Sequence, residues 1–260
     1  MEKGFYLYCI KENTGSKFST EGIGGGQVYT IAYQDLEAVV SDVSLDEFGS
    51  EEIQKKAQED IAWIKEKAQN HEKVIEEAMG MGSVIPMQFG VIFKTKENLE
   101  ETLSKHFDQF KQSLEKLTGK QEWGLKVFLK GNIFREAIEK KNEQVLAKKK
   151  EIEAMPKGMA FFAQKQIDKV IDEEKDKELD KIIEDIDENL GQLSFSKNKA
   201  KLLEKDFTGI EEEMILNSFY LIEELKLNQF QKKVEELKEK HNSRGIIIEM
   251  TGPWPPYHFA

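Results

Sequence analysis

Few side chains in this sequence have the type and spacing that chemistry needs. The best acid–base candidate is His71, which has Glu72 and Glu76 close by in the sequence. At helical spacing His71 aligns with Ala68 and Ile75 on an apolar stripe, which favours a core histidine over a catalytic one. An enzyme built on this residue would need a deep polar pocket around it.

The other reactive side chains stand apart. No two of the remaining histidines, at 106, 241 and 258, have the spacing of metal ligands, and the single cysteine, Cys9, lies in an apolar run typical of a buried small hydrophobe. The glycines at 22 and 24–26 are not followed by the Lys-Ser/Thr of a phosphate loop, so they indicate a flexible loop. We therefore expect no catalytic residue, no cofactor and no metal.

Composition narrows the class of protein. The 260 residues carry 49 Asp and Glu against 38 Lys and Arg, a net charge of −11. This balance argues against nucleic-acid binding, which needs clustered cations, and the basic run at 148–150 is followed directly by glutamates. No apolar stretch is long enough to span a membrane, and the first residues lack a signal-peptide pattern. We expect a cytoplasmic protein.

The elements of the first half alternate between strand and helix periods. Continuous apolar runs predict strands at 5–10, 28–32 and 38–43 that form a meander, and two short strands within 83–93. Stripes at three- and four-residue steps predict one helix from Ser50 to Met79 and another over 99–117, followed by a strand at 122–130. This order predicts an α+β fold in which helices cover a mostly antiparallel sheet.

The second half begins with a charged arm. Residues 132–189 predict two long helices that meet at 155–158 and pack on a single side. After a weakly signalled strand at 190–196 come a strong strand at 213–222, a helix over 230–241 and an isoleucine strand at 246–248, as in part of a ferredoxin-like sandwich. We predict two domains, 1–130 and 131–260, the second comprising the arm (131–190) and this sheet. The halves share an order of elements but no sequence repeat.

The chain ends in a proline-rich aromatic segment. Gly252 and Pro253 are expected to end the last strand, and three prolines in four positions predict an extended backbone close to polyproline II. Trp254, Tyr257 and Phe259 project from it. Two interpretations stay open: the aromatics clasp the chain's own core, or they contact a partner.

Six sequence blocks together resemble one known family. They are, in order, YLY at 6–8, HEKV at 71–74, VIPMQFG at 84–90, EWGLKV at 122–127, LNSFYL at 216–221 and TGPWPPY at 251–257. These resemble the gas vesicle protein F/L family over nearly the whole chain. The segments 63–67 and 161–162 and His258 are more similar to protein L. The family often has Gly where Cys9 stands and Arg where Gln88 stands, so an electrostatic role at position 88 is not expected here.

The resemblance implies a two-domain protein whose C-terminal domain has a modified ferredoxin-like fold. It also implies an accessory role in assembling gas vesicles, by binding the small hydrophobic shell subunit, other accessory proteins, or both. An aromatic groove for such a partner has six candidate residues: Phe89, Phe93, Trp123, Phe128, Trp254 and Tyr257. Two alternatives remain, a minor wall component or scaffold that uses the charged arm and, less consistent with the residues, an enzyme of unrecognised type.

Overall fold

The computed structural model describes residues 2–260. For eleven of these residues only the backbone is described: Ser50, Glu51, Gln54, Ala57, Lys157, Phe161, Phe162, Gln164, Lys165, Gln166 and Phe207. The side chains of some predicted stripe residues and of the pair at 161–162 therefore lie outside the description. The chain divides into two compact units, Met1–Glu122 with Trp254–Ala260, and Trp123–Pro253. The division falls eight residues before the predicted boundary because the strand at 120–129 belongs to the second sheet, and the tail returns to the first unit.

The first unit contains five strands and five helices among its described residues. In chain order these are β1 (Lys3–Glu12), β2 (Val28–Tyr33), β3 (Leu36–Ser44), α1 (Leu45–Phe48), α2 (Ser50–Glu59), α3 (Ile61–Met79), β4 (Val84–Pro86), β5 (Ile92–Phe93), α4 (Lys96–Lys105) and α5 (Phe107–Leu117).

The first sheet has the order β2-β3-β1-β4, and β5 also pairs with β1. The predicted meander is therefore wrong, because β1 pairs with β3 and not with β2. Fifteen residues separate β1 from β2, whereas only Gln34 and Asp35 separate β2 from β3. The short turn forces β2 and β3 to pair as a hairpin, and the long connection leaves β1 free to pair on the other side of β3.

Both helices predicted as single segments in this unit are broken. Asp60 interrupts the first with an extended backbone (φ −139°), and its carboxylate accepts a hydrogen bond from the Trp63 N–H at 2.9 Å. The break at His106, where φ is −109°, separates α4 from α5. Ser50, predicted as the N-cap, is instead the first helical residue after Gly49. A capping aspartate inside a continuous apolar stripe explains the first break.

The glycine-rich connection is packed on the sheet, and not the flexible loop that its composition suggested. Ile23 is fully buried, and its N–H donates to the Tyr8 hydroxyl at 2.8 Å. A Cβ added to Gly22 would lie 2.5 Å from the Ser41 Oγ, whereas one added to Gly26 meets only the Asp42 carbonyl oxygen at 3.7 Å. The close approach of loop and sheet requires glycine at position 22.

A buried ion pair fixes the start of this connection. The Lys11 ammonium lies 3.2 Å from a Glu37 carboxylate oxygen, and both side chains are almost fully buried. The same ammonium donates to the hydroxyls of Thr14 and Ser16 at 2.9 and 2.7 Å. Because Lys11 and Glu37 are also direct partners in the β1–β3 register, the pair ties loop and ladder together.

The second unit contains four strands and its own set of helices. In chain order these are β6 (Lys120–Leu129), α6 (Gly131–Lys141), α7 (Glu143–Glu153), α8 (Lys157–Gly191), β7 (Ser196–Lys199), α9 (Lys205–Thr208), β8 (Glu213–Glu223), a 3-10 turn (Glu224–Lys226), α10 (Leu227–Asn242) and β9 (Ile246–Trp254).

The charged arm is three helices rather than the predicted two. Asn142 ends α6 in an extended conformation, and its side-chain oxygen accepts hydrogen bonds from the N–H groups of Gln144 and Val145, which start α7. The predicted strand at 190–196 is also displaced, because α8 continues to Gly191 and β7 begins only at Ser196. The narrow apolar stripe of α8, including Ile167, Ile171 and Ile186, lies in the core of this unit.

The second sheet has the order β7-β8-β6-β9. In the β6–helix–β7–β8–helix–β9 sequence this is the strand order of a ferredoxin-like fold, so the fold-class prediction is confirmed. The first sheet has the same order, with β1 to β4 in place of β6 to β9. The isoleucine strand β9 is longer than predicted: it continues past Gly252 and the cis Gly252–Pro253 bond to Trp254.

Candidate functional site

His71 lies in a closed polar cluster within the first unit. The middle of α3 holds its side chain, which is 1% exposed. The Tyr6 hydroxyl lies 3.0 Å from Nδ1 and accepts the Gly90 N–H at 2.9 Å. Because that hydroxyl already accepts from the backbone, its own proton is directed at Nδ1.

The second ring nitrogen faces a carbonyl and the C-terminal tail. Nε2 lies 3.1 Å from the Met87 carbonyl oxygen and 3.2 Å from the Tyr257 hydroxyl. These partners fix a neutral imidazole that accepts at Nδ1 and donates at Nε2. Burial lowers the pKa of His71 to about 4, against a smaller opposing effect of the Met87 carbonyl.

Aromatic rings enclose the imidazole. The ring centroids of Tyr6, Tyr8 and Phe89 lie 5.6, 5.8 and 5.9 Å from that of His71. The imidazole is neutral, almost fully buried, and hydrogen-bonded at both ring nitrogens. The arrangement is that of a structural histidine, as the apolar stripe predicted.

Tyr257 connects the tail to this cluster. Its hydroxyl donates to the Glu72 carboxylate at 2.9 Å, and its ring packs against the core of the first unit. Burial raises the pKa of Glu72, and the hydrogen bond from Tyr257 offsets part of that rise. Burial and the adjacent Glu72 also raise the pKa of the Tyr257 hydroxyl, so it remains a donor at neutral pH.

Two further contacts attach the end of the chain. The buried Glu122 carboxylate accepts hydrogen bonds from the His258 N–H at 3.1 Å and from Nδ1 at 2.6 Å. The Lys116 ammonium donates to the Phe259 carbonyl oxygen at 2.6 Å, and the Phe259 ring is buried. We call residues 254–260 with these contacts the C-terminal anchor.

The backbone of the anchor is not the extended rod that its prolines suggested. After Pro256 it turns back on itself: the Tyr257 N–H donates to the Pro255 carbonyl, and the N–H groups of Phe259 and Ala260 both donate to Pro256. The turn places Tyr257 and Phe259 on the first unit. Trp254 is the exception among the three aromatics, since 44% of its surface is exposed.

The six predicted groove residues are divided between the two units and differ in exposure. Phe89, Phe93, Trp254 and Tyr257 lie in the first unit, whereas Trp123 and Phe128 lie in the second. Phe128 is 0% exposed, and Trp123 packs against the second core. Phe89 and Tyr257 belong to the wall of the His71 cluster. Of the six, Trp254 is the most exposed, and their contact with a partner stays a prediction.

The sequence patterns missed most partners in this cluster. The sequence identifies Tyr6 and Tyr8 as part of a strand and of the family block at 6–8, but not as partners of His71, although their spacing of two residues places both on one face of β1. Glu72 is identified from the sequence only as a carboxylate near His71, and Glu122 only as part of the strand and family block that begin at position 122. Nothing in the local sequence signals Glu122, because its partner is 136 residues away.

Among the described residues, no group of His, Cys, Asp or Glu side chains could hold a metal ion. No helix in that part of the chain is long and apolar enough to cross a membrane.

Two units of ferredoxin-like strand order, the first of which contains the buried His71 cluster, define an α+β protein. The chain belongs to the gas vesicle synthesis protein GvpL/GvpF family, whose model matches residues 4–260. Membership of this family supports a role in gas vesicle formation, and the family is named for that process, not for a reaction.

Gas vesicle proteins named L and gas vesicle proteins named F are both similar to this chain. Gas vesicle protein L1 of Halobacterium salinarum is 26% identical over 100% of this chain and 91% of its own length, and gas vesicle protein F1 of the same organism is 24% identical over 100% and 94%. These values do not separate protein L from protein F.

Solved structures show the same fold. The crystal structure of gas vesicle protein GvpF from Anabaena sp. PCC7120 has a TM-score of 0.73 and 20% identity, and covers 99% of this chain and 98% of that one. GvpF from Microcystis aeruginosa has a TM-score of 0.65 over 98% of each chain, also at 20% identity.

Proposed function

We propose that this chain is an accessory protein that binds the small hydrophobic shell subunit, other accessory proteins, or both, while gas vesicles form. The observation that carries the proposal is the family match over residues 4–260. A mostly apolar subunit must be kept from aggregating before it joins a wall, and a soluble binder can do this by covering its apolar surface.

The surface chemistry of the chain supports a binding role. Several large apolar side chains are exposed, among them Trp254, Met159, Phe195 and Leu225. Exposed aromatic and methionine side chains are typical of binding surfaces. We propose Trp254 as a partner contact, and Tyr257 as the residue that holds the anchor in place behind it.

The net negative charge of the chain is consistent with keeping an apolar partner in solution. A complex carrying apolar cargo would precipitate unless the binder kept it dispersed, and a net charge of −11 opposes self-association. We place the protein in the cytoplasm beside forming vesicles.

The test is co-expression with the shell subunit of the same organism, followed by affinity pull-down and measurement of the soluble shell subunit. We expect co-purification, an increase in the soluble fraction, and weaker retention by Trp254→Ala. Ile61→Ala, which truncates another exposed side chain of the first unit, is the matched control. If the wild-type chain neither retains nor solubilises the subunit, shell binding is refuted and other accessory proteins become the partners to test.

A second candidate is a minor wall component or scaffold. The arm supports it, because the Arg135 guanidinium bridges α6 and α8 through Asp168 at 2.6 Å and Asp172 at 3.0 Å. Such bracing suits a rigid spacer. This candidate requires the protein to stay with washed vesicles, and recovery in the wash alone would exclude it.

A further inference from the structure

The outer edge of the first sheet lacks the usual protection. β2 reads Val-Tyr-Thr-Ile-Ala-Tyr and contains no charged residue and no proline. Exposed edge strands in natural proteins normally carry charges, prolines or bulges that prevent another strand from pairing. The equivalent edge of the second sheet follows that rule: β7 is only four residues long and contains Lys197 and Lys199.

The hairpin geometry shows which backbone groups face outward. Tyr33 and Leu36 close a two-residue turn, and in such hairpins the closing pair exchanges hydrogen bonds. Because bonded and non-bonded pairs alternate, the residues at 29, 31 and 33 bond to β3, whereas those at 28, 30 and 32 present their N–H and C=O groups to the open edge. No residue that the structure describes hydrogen-bonds to the outward groups of Thr30 or Ala32.

The chemistry of the edge limits what could bind there. A row of alternating donors and acceptors is satisfied in register by another extended backbone. Because the six residues of β2 carry no charge, they offer no opposite charge to a charged partner strand, and an uncharged segment is the best match along this length. Residues 1–122 contain 22 Asp and Glu against 14 Lys and Arg, and 254–260 contain neither, so a second copy of this strongly acidic unit would be repelled.

We infer that the outer edge of β2 receives an extended, uncharged segment of the shell subunit as an added strand. The inference rests on the proposed function, because it names the surface and the conformation through which the apolar partner is held. The side chains at 29, 31 and 33 would lie on one face of the enlarged sheet and those at 28, 30 and 32 on the other.

The test uses the full-length chain with the co-expressed shell subunit. Ala32→Pro removes the outward N–H of an exposed residue and leaves the bonds to β3, while Ala32→Ser at the same position keeps the donor. We expect Ala32→Pro to weaken retention about tenfold, the effect of one or two lost backbone hydrogen bonds, and Ala32→Ser to retain the subunit like the wild type. Thermal unfolding shows whether each variant is folded.

A second measurement needs no variant. In the wild-type complex, the amides of Thr30 and Ala32 should exchange with deuterium at least tenfold more slowly than in the chain alone. Unchanged exchange, together with full retention by Ala32→Pro, overturns the inference and leaves the proposed function standing. Failure of the wild type to retain the subunit refutes both. Dimers of the chain alone that protect these amides would show that a second copy occupies the edge, which also overturns the inference.

Discussion

Replacing Tyr257 with Phe removes one hydroxyl from the C-terminal anchor and leaves the aromatic ring in place. That hydroxyl donates to Glu72 at 2.9 Å, and a hydrogen bond to a charged group contributes about 1.5–3 kcal/mol. Glu72 is half-buried, so water can replace part of the lost bond, and we expect a loss near the lower limit, about 1.5–2 kcal/mol. For a unit of this size the melting temperature falls by roughly 6 °C.

Differential scanning calorimetry measures this loss, and Tyr29→Phe provides the matched control. The Tyr29 hydroxyl also donates to a carboxylate, that of Asp42 at 2.7 Å, but at an exposed position, so its removal should cost less than about 0.5 kcal/mol. Tyr257→Phe should retain the shell subunit if the hydroxyl only fastens the anchor. A melting temperature within about 1 °C of the wild type, with reduced retention, would refute this reasoning and assign the hydroxyl to the partner.

The pH dependence gives an independent check. The bond from Tyr257 lowers the pKa of Glu72, so the variant has the higher folded-state pKa. The stability difference between wild type and variant is therefore fully present while Glu72 is ionised and is lost as the pH falls through the pKa of its folded state. We expect a larger gap at pH 8 than at pH 5, and an equal gap at both would show that the bond does not involve the carboxylate.

Three further predictions concern the first unit. Glu37→Ala leaves the Lys11 charge buried without its partner, and we expect the free energy of unfolding, measured in urea, to fall by about 3–5 kcal/mol. The double variant Lys11→Met/Glu37→Ala should recover part of this loss. A loss below about 1 kcal/mol would show that the pair is solvated. Gly22→Ala should lower the free energy of unfolding by about 1–3 kcal/mol, because the new Cβ would lie 2.5 Å from the Ser41 Oγ. Gly26→Ala should lower it much less, and equal losses would contradict the packing of the loop. His71 should stay neutral in NMR titrations down to about pH 4, so stability falls as the pH drops below its unfolded pKa; a protonated ring at pH 6 would refute its burial.

Local periodicity predicted the type of most elements and missed their interruptions. Asp60 and Asn142 break helices within stretches whose apolar spacing continues, and both cap the helix that follows. Their residue types did carry a signal, because Asp and Asn are preferred N-caps. Strand order was less accessible, since the pairing of β1 with β3 depends on connection lengths and on contacts distant in the sequence.

The site shows the same limit more strongly. The stripe on α3 placed His71 correctly in the core, because burial of a helix face is encoded within a few turns. Its partner Tyr6 is 65 residues away and Tyr257 is 186 residues away. No local pattern specifies such distances. The proline content of the tail also suggested an extended rod, whereas docking of Tyr257 and Phe259 favours a turn after Pro256.

The two sheets have the same strand order but differ in the connection between their first and second strands. In the second unit the connection from the first to the second strand carries α6, α7 and α8, and in the first unit the same connection is the packed loop that ends at β2. An edge strand binds a partner strand best when its own register is already fixed. If the register were not fixed, ordering the edge strand would reduce the free energy of binding. Glu37 opposes Ala32 of β2 on one side and Lys11 of β1 on the other. The buried ion pair thus fixes the register of the ladder directly behind the uncharged edge, which gives it a role that its desolvation cost alone would not explain.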